Sequence, residues 1–179
     1  SCLPPEWFGV ISFSNTVGGT AVSFAPTLIR ATAANRSAAL EYVEDLPPRG
    51  DADIMEAFQK AFSLLNASAA GPEGVRSPHI GTTCTSTILF LVDGTHPIPN
   101  TDDILQKVAG WNQGIGARVL TYALGTGTDV RTLGTQLACS SRGLWQTIED
   151  VTDVKDAMAH YYEFLAVGLD LHSPVWTDP

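Results

Sequence analysis

Apolar residues recur along this chain with two periods, one typical of strands and one typical of helices. Short β-rich runs predict strands at 9–14, 20–24, 87–92, 118–124 and 144–148. Between them, apolar residues three or four apart predict helices at 35–46, 54–65, 104–111, 130–137 and 154–168, with a long loop at 67–85. Strands that alternate with helices form a mostly parallel sheet, so the pattern predicts an α/β, doubly wound fold with helices on both faces.

The run 87–92 has almost no polar break, which predicts a central strand covered on both faces. Asp93 and Gly94 follow it directly. Because ligands of open parallel sheets bind beyond the carboxyl ends of the strands, Asp93 is a candidate ligand for Mg²⁺ or Ca²⁺. The alternative is a turn aspartate that accepts hydrogen bonds from its own backbone. Asp53, with Glu56 three residues later, predicts the N-cap of the helix that starts at 54.

Composition and the motifs that are missing argue against several functions. The 179 residues include 10 Lys+Arg and 19 Asp+Glu, a formal net charge of −9, which argues against nucleic-acid binding. No apolar run approaches the ~20 residues that cross a bilayer, so no direct membrane insertion is expected. The sequence contains neither a Gly-x-Ser-x-Gly elbow nor a His-Glu-x-x-His pair. We therefore expect a single acidic domain that is not an enzyme.

Cysteines and acceptor sequons point to an extracellular location. Cys2, Cys84 and Cys139 are far apart and have no metal-type spacing, and Asn35 and Asn66 each begin an Asn-x-Ser sequon. An odd number of cysteines leaves one thiol either free or bridged to another chain or domain.

The order of motifs resembles that of a von Willebrand factor type A domain. The resemblance rests on Gly9–Ser14, the stretch at Gly50 that opens a helix, Phe90–Gly94 and Val119–Gly125. It implies such a domain over residues 1–168. A narrower similarity, to the alpha-2-delta auxiliary subunits of voltage-gated calcium channels, rests on Cys84, on Ala138-Cys139, and on the tail that runs from Tyr161-Tyr162 to Pro174–Thr177. In those subunits the domain is embedded in a Cache region, so 169–179 is expected to begin a Cache-like region.

The resemblance implies a metal-ion-dependent adhesion site, but the chain departs from its pattern. The family combines an Asp-x-Ser-x-Ser loop, a threonine and an Asp-Gly turn. This chain has no Asp-x-Ser-x-Ser, and alignment places Ala52, which has no side-chain oxygen, at the threonine position. Asp93 matches and Asp51 lies near the threonine position. We therefore expect an incomplete site, which binds Ca²⁺ or Mg²⁺ only if upstream residues and Asp51 restore it.

The resemblance also implies a function. We expect an extracellular protein-binding module of a larger membrane-associated protein, which docks a channel or another membrane or extracellular protein. The docking loops would contain Asp51, Asp53, Gly94, Thr95 and His96. The alternative is a structural domain of a large extracellular or ciliary-surface assembly.

Two further expectations come from the same resemblance. Cys84 is the better positional match for the cysteine that links this domain to the smaller delta part of those subunits. The family's first strand and helix are absent from this chain, so the remainder of the parent protein is expected to complete the sheet.

Overall fold

A computed structural model describes residues 7–14, 21–47, 53–70, 86–94, 98–125 and 127–148. Four short strands come first, in two antiparallel pairs. Strands β1 (Trp7–Phe8) and β4 (Ile29–Arg30) form one pair, and β2 (Ile11–Phe13) and β3 (Ala21–Ser23) form the other. The β2–β3 hairpin was predicted, but β1 and β4 were not, since two residues are too few to show a period.

Parallel strands and helices alternate in the second half of the described chain. They are β5 (Thr87–Asp93), α3 (Thr101–Asn112), β6 (Arg118–Leu124), α4 (Thr128–Ser141) and β7 (Leu144–Ile148). The three strands form a parallel sheet in the order β5-β6-β7. The predicted α/β fold class is thus confirmed. The predicted helix at 154–168 and the region 169–179 lie outside the described residues.

Strand β5 differs from its prediction in position and in burial. In the described sheet β6 is the middle strand and β5 lies at one end, so the prediction of a central β5 is not met. Phe90 and Val92 are buried, as expected, but Leu89 and Leu91 are 41% and 43% exposed. The prediction that β5 is covered on both faces is therefore wrong for the face that carries these two leucines. An unbroken apolar run does not reveal what lies opposite each face.

The main core covers the other face of the sheet. Helix α2 (Ile54–Ala70) contributes Phe58 and Phe62, which are 1% exposed, and α3 and α4 contribute to the same cluster. Helix α2 also contacts both strands of the β2–β3 hairpin, and Phe13 of β2 stacks on Phe90 with ring centroids 5.7 Å apart. Leu120, Tyr122 and Ile148 form a separate buried cluster on the opposite face.

Helix α1 (Ala33–Glu44) forms where it was predicted, but most of the apolar residues whose spacing predicted it are exposed. Leu40, Val43 and Leu46 are 59%, 46% and 38% exposed, and Ala39 is the buried residue of this helix. The helix contacts the hairpin instead through Tyr42, whose hydroxyl lies 2.7 Å from the Ser12 hydroxyl.

Polar side chains fix the ends of several elements. Glu56 donates its backbone N–H to Asp53 Oδ1 at 2.9 Å, which confirms the predicted cap of α2. Asn112 bonds both the N–H and the carbonyl of Ala117, and so closes the turn between α3 and β6. Ser141 accepts from the Val119 N–H at 3.0 Å and donates to the Leu137 carbonyl, which holds the end of α4 against β6.

Candidate functional site

The carboxyl ends of the three parallel strands meet at one edge of the sheet. Strand β5 ends at Asp93, β6 at Leu124 and β7 at Ile148. Helices α3 and α4 begin a few residues after β5 and β6, so their N-termini lie at the same edge. We call the described residues of this edge the rim: 93–94, 98–103, 124–125 and 127–129. The rim is where a parallel sheet offers a binding site.

Asp93 lies at the rim, as its place after β5 predicted. It is the last residue of the strand, pairs with Leu124 in the ladder, and has an exposed side chain. The adjacent Gly94 is buried and donates its N–H to the Leu124 carbonyl at 2.6 Å. The strand therefore holds the Asp93 backbone in place while its carboxylate faces outward.

Two glycines let the loops after β5 and β6 pack closely. A Cβ on Gly94 would lie 2.9 Å from the Leu124 carbonyl oxygen, and a Cβ on Gly127 would overlap the Gly94 carbonyl oxygen. Both obstacles are backbone atoms, which cannot rotate away as a side chain can. The two turns thus form one tightly packed unit of the rim.

Two rim residues, Thr101 and Asp129, and the conformation of a third, Asn100, were missed by the sequence analysis. Asn100 adopts the left-handed conformation (φ 59°) just before α3, and Thr101 donates its hydroxyl to the Ile98 carbonyl at 3.3 Å. Asp129, in the first turn of α4, accepts a long hydrogen bond from the Ile98 N–H at 3.4 Å. The turn-forming Pro99-Asn100 pair was an available signal, but the contact to Asp129 depends on how two loops meet.

The rim is acidic. Asp93 is joined there by Asp129 and by Asp102 and Asp103 in the first turn of α3, and all four side chains are exposed. Carboxylates in the first turn of a helix are stabilised by the helix dipole, which accounts for three of the four. The surface that results favours a partner carrying Lys or Arg.

The structure does not bring together every residue predicted for the docking loops. Asp93 and Gly94 lie at the rim, and Asp53 caps α2. Asp51, Thr95 and His96 lie outside the described residues, so their roles stay predictions.

The described residues do not fit a divalent cation. Mg²⁺ and Ca²⁺ take six or more oxygen ligands, usually with several carboxylates among them. Within the described ranges, no three His, Cys, Asp or Glu side chains gather in a way that could hold a metal ion. Of the two metal ligands predicted from the sequence, Asp93 is described and Asp51 lies outside these ranges.

The predicted modification sites differ in their exposure. Asn66 is exposed on α2, whereas Asn35 is half-buried and donates its side-chain N–H to the Arg30 carbonyl at 2.8 Å. Cys139 lies on α4 with an exposed, free thiol. Cys2 and Cys84 lie outside the described residues, so glycosylation and disulfide pairing stay predictions.

Comparison with known proteins identifies the fold. No known family model matches the sequence. Among solved structures, the chain is similar to "von Willebrand factor type A from Catenulispora acidiphila", with a TM-score of 0.64 over 93% of this chain. The chain has the fold of a von Willebrand factor type A domain. Sequence identity is 16%, and the chain spans 34% of the length of that solved chain.

The likeness therefore supports the broader half of the resemblance found in the sequence, and the von Willebrand factor A fold is confirmed. The narrower similarity to alpha-2-delta subunits, with its Cache region, stays a prediction. Among the helices that the structure describes, none is long and apolar enough to cross a membrane.

Proposed function

We propose that this chain is an extracellular protein-binding module of a larger, membrane-associated protein resembling a calcium-channel alpha-2-delta subunit. It docks a channel or another membrane or extracellular protein through the rim. The observation that carries the proposal is the rim itself: the backbone at Gly94 packs directly against the backbone at Gly127, with four exposed carboxylates around them. A rigid surface loses little conformational entropy on binding, which favours recognition of a protein partner.

The adhesion site in this proposal is degenerate, and docking does not depend on a metal ion. Support comes from the poor fit of the described donors to a divalent cation and from Ala52 at the position where the family has threonine. We expect that adding CaCl₂ or MgCl₂ leaves the melting temperature unchanged. A rise in melting temperature that Asp93→Ala removes would instead show a working metal site.

Blocking the rim tests the docking surface directly. Asp102→Thr turns Asn100-Thr101-Asp102 into a sequon whose asparagine is exposed at the rim. Cys139→Asn, which creates an Asn-Ser-Ser sequon with Ser140 and Ser141 near the other end of α4, is the matched control. Each variant is displayed on cultured cells through an added anchor, and neighbouring proteins are identified by proximity labelling.

We expect that a glycan at Asn100 removes the labelled partner, whereas a glycan at position 139 leaves it. Glycan attachment is checked by an enzymatic mobility shift. Equal labelling of the same partner by both glycosylated variants would reject the rim as the docking surface.

The remainder of the parent protein is part of the proposal, because it completes the sheet. Leu89 and Leu91 are partly exposed beside Leu120 and Tyr122, which are fully buried on the same face. The two leucines also favour the alternative, a structural domain packed inside a large extracellular or ciliary-surface assembly. Loss of partner labelling in Asp102→Thr distinguishes the binding module from this alternative.

A further inference from the structure

Helix α1 has an exposed apolar surface that its own fold does not use. Leu40, Val43 and Leu46 are 59%, 46% and 38% exposed. Leu40 and Val43 are three residues apart and so lie side by side on the helix, and Leu46 follows just beyond its end. Single exposed apolar residues are ordinary, but three neighbours at one helix end form a patch.

The same helix end carries three acids in a place that is locally unfavourable. Glu41, Glu44 and Asp45 are exposed in the last turn and at the C-cap, where no basic residue is present. The negative end of the helix dipole repels carboxylates, and acids three and four residues apart repel one another. Within the described residues these three side chains form no ion pair. These acids therefore lower the stability of α1, and no ion pair among the described residues compensates for the loss.

The other helices show that this arrangement is specific to α1. Helices α2, α3 and α4 carry acids in their first turns, where the dipole favours them, whereas α1 has none there. Residues that break a local rule without a gain in folding mark candidate functional surfaces.

The packing of α1 leaves this surface open. The helix is held by Tyr42, whose ring lies 5.4 Å from that of Phe24, and by the buried Ala39. Leu40 and Glu44 lie one turn apart, on a different face from these two contacts. The apolar strip of Leu40, Val43 and Leu46 is flanked along one side of the helix by three acids, Glu41, Glu44 and Asp45. We call these six residues the α1 patch.

We propose that the α1 patch docks a basic amphipathic segment of another protein, with apolar side chains on the leucines and valine and Lys or Arg opposite the acids. Charge complementarity decides the occupant. An anionic membrane surface would be repelled by the three carboxylates, and a second copy of this chain would place acid against acid. The α1 patch is a second surface, separate from the rim, and does not depend on the function proposed for the rim.

The test uses the 179-residue chain and three synthetic peptides that share one helical pattern. The first has leucines on one face flanked by lysines. The second has the same leucines flanked by glutamates, and the third keeps the lysines but replaces the leucines with serine. Binding is measured by fluorescence anisotropy, and NMR shift changes in the ¹⁵N-labelled chain locate the bound peptide.

We expect the first peptide to bind at residues 40–46 and the other two to bind at least about tenfold more weakly. Leu40→Gln with Val43→Gln should lower the affinity for the first peptide by about tenfold or more, since two apolar contacts are lost. Glu41→Gln with Glu44→Gln should also weaken binding and, because like-charge repulsion is removed, raise the melting temperature. If these acids served only to stabilise the fold, the same two substitutions would lower the melting temperature instead.

The matched control is Asp102→Asn with Asp103→Asn, which also removes two charges but at the rim. It should lower the melting temperature slightly and leave unchanged the peptide affinity that the NMR shifts of residues 40–46 report. The proposal is overturned if the serine peptide binds as tightly as the first, if the control weakens binding as much as the α1 variants do, or if no peptide binds. The separate proposal that the rim docks a partner is tested by the two glycosylated variants.

Discussion

Gly127 is a residue whose missing side chain shapes the rim. Its φ of −58° suits any residue, so its requirement for glycine is purely steric. The space that a Cβ would need is occupied by the Gly94 carbonyl oxygen. Gly110, in the interior of α3, is a natural comparison, because nothing lies within 4 Å of the position of its Cβ.

Opposite effects are predicted for alanine at these two glycines. Gly127→Ala should lower the free energy of unfolding by about 1–3 kcal/mol, since the rim backbone must move. Gly110→Ala should raise it by about 0.5–1 kcal/mol, because alanine favours the helix. Urea denaturation measures both. Equal effects of the two substitutions would show that the loops after β5 and β6 are not packed as described.

Tyr122 carries a buried hydroxyl that has no hydrogen-bond partner within the described part of the chain. Burial penalises the ionised form, so the pKa of Tyr122 is raised above its ordinary value. The folded protein therefore keeps this proton at a pH where the unfolded chain releases it. The stability that follows is fully present below about pH 10 and is lost as the pH rises through the higher, folded pKa.

Tyr122→Phe is predicted to remove this loss of stability at alkaline pH. At pH 7 the variant should be as stable as the parent chain or more stable, by up to about 1 kcal/mol, because it discards an unpaired polar group. Above about pH 10, the difference in unfolding free energy should grow in favour of phenylalanine. Denaturation curves from pH 7 to about pH 11.5 measure the difference, and Tyr42→Phe controls for a tyrosine whose hydroxyl is bonded. A destabilised Tyr122→Phe would reveal a partner for the hydroxyl.

At the scale of elements, α2 links the hairpin to the sheet and starts at a side-chain cap. Asp53 accepts the Glu56 N–H and satisfies a donor that the helix itself leaves unpaired. The helix also carries Phe58 and Phe62 into the main core, so its first turn affects both regions that it contacts.

Removing the cap should cost a measurable part of the total stability. Asp53→Ala is predicted to lower the free energy of unfolding by about 1 kcal/mol, and Asp53→Ser should recover most of it, since serine caps nearly as well. Thermal and urea unfolding give both values. If alanine is tolerated without loss, the contact at 2.9 Å does not stabilise the helix in solution.

Local pattern predicted most of the elements but not their surroundings. Strands β6 and β7 lie at the predicted residues, because each is a compact apolar run next to glycine turns. The exposure of Leu40 on α1 and Leu89 on β5 was not predictable. Periodicity shows which residues share a face, whereas burial depends on what packs against that face.

The candidate site, too, was predictable only in part. Asp93 was placed correctly, since a residue that follows a parallel strand must lie at the carboxyl edge of the sheet. The left-handed Asn100 and the contact between Ile98 and Asp129 were missed, because both depend on how the loops after β5 and β6 pack on each other.

At the scale of the whole molecule, the two faces of the parallel sheet are covered unequally. Three helices contribute to the core on one face, whereas the other exposes Leu89 and Leu91 at one end of the sheet. Burying the remainder of each leucine would contribute about 1 kcal/mol, so this face favours association. The proposal that another part of the parent protein completes the sheet follows from this imbalance.

The 179-residue chain alone is predicted to self-associate through this face. Analytical ultracentrifugation should show a sedimentation coefficient that rises with concentration. Leu89→Thr with Leu91→Thr should reduce the rise, since threonine keeps the strand preference without the apolar surface. Val22→Thr, at an exposed position of β3, is the matched control and should have no effect. If the unsubstituted 179-residue chain is monomeric and melts cooperatively at all concentrations, the proposal that its sheet is incomplete is rejected.

The middle position of β6 has a consequence for how the molecule opens. Its backbone bonds to β5 on one side and to β7 on the other, and Val119, Leu120 and Tyr122 are fully buried. No small fluctuation can expose these amides, because both ladders must separate first. In heavy water, deuterium should therefore enter the β2–β3 hairpin within the early time points and reach 118–124 last.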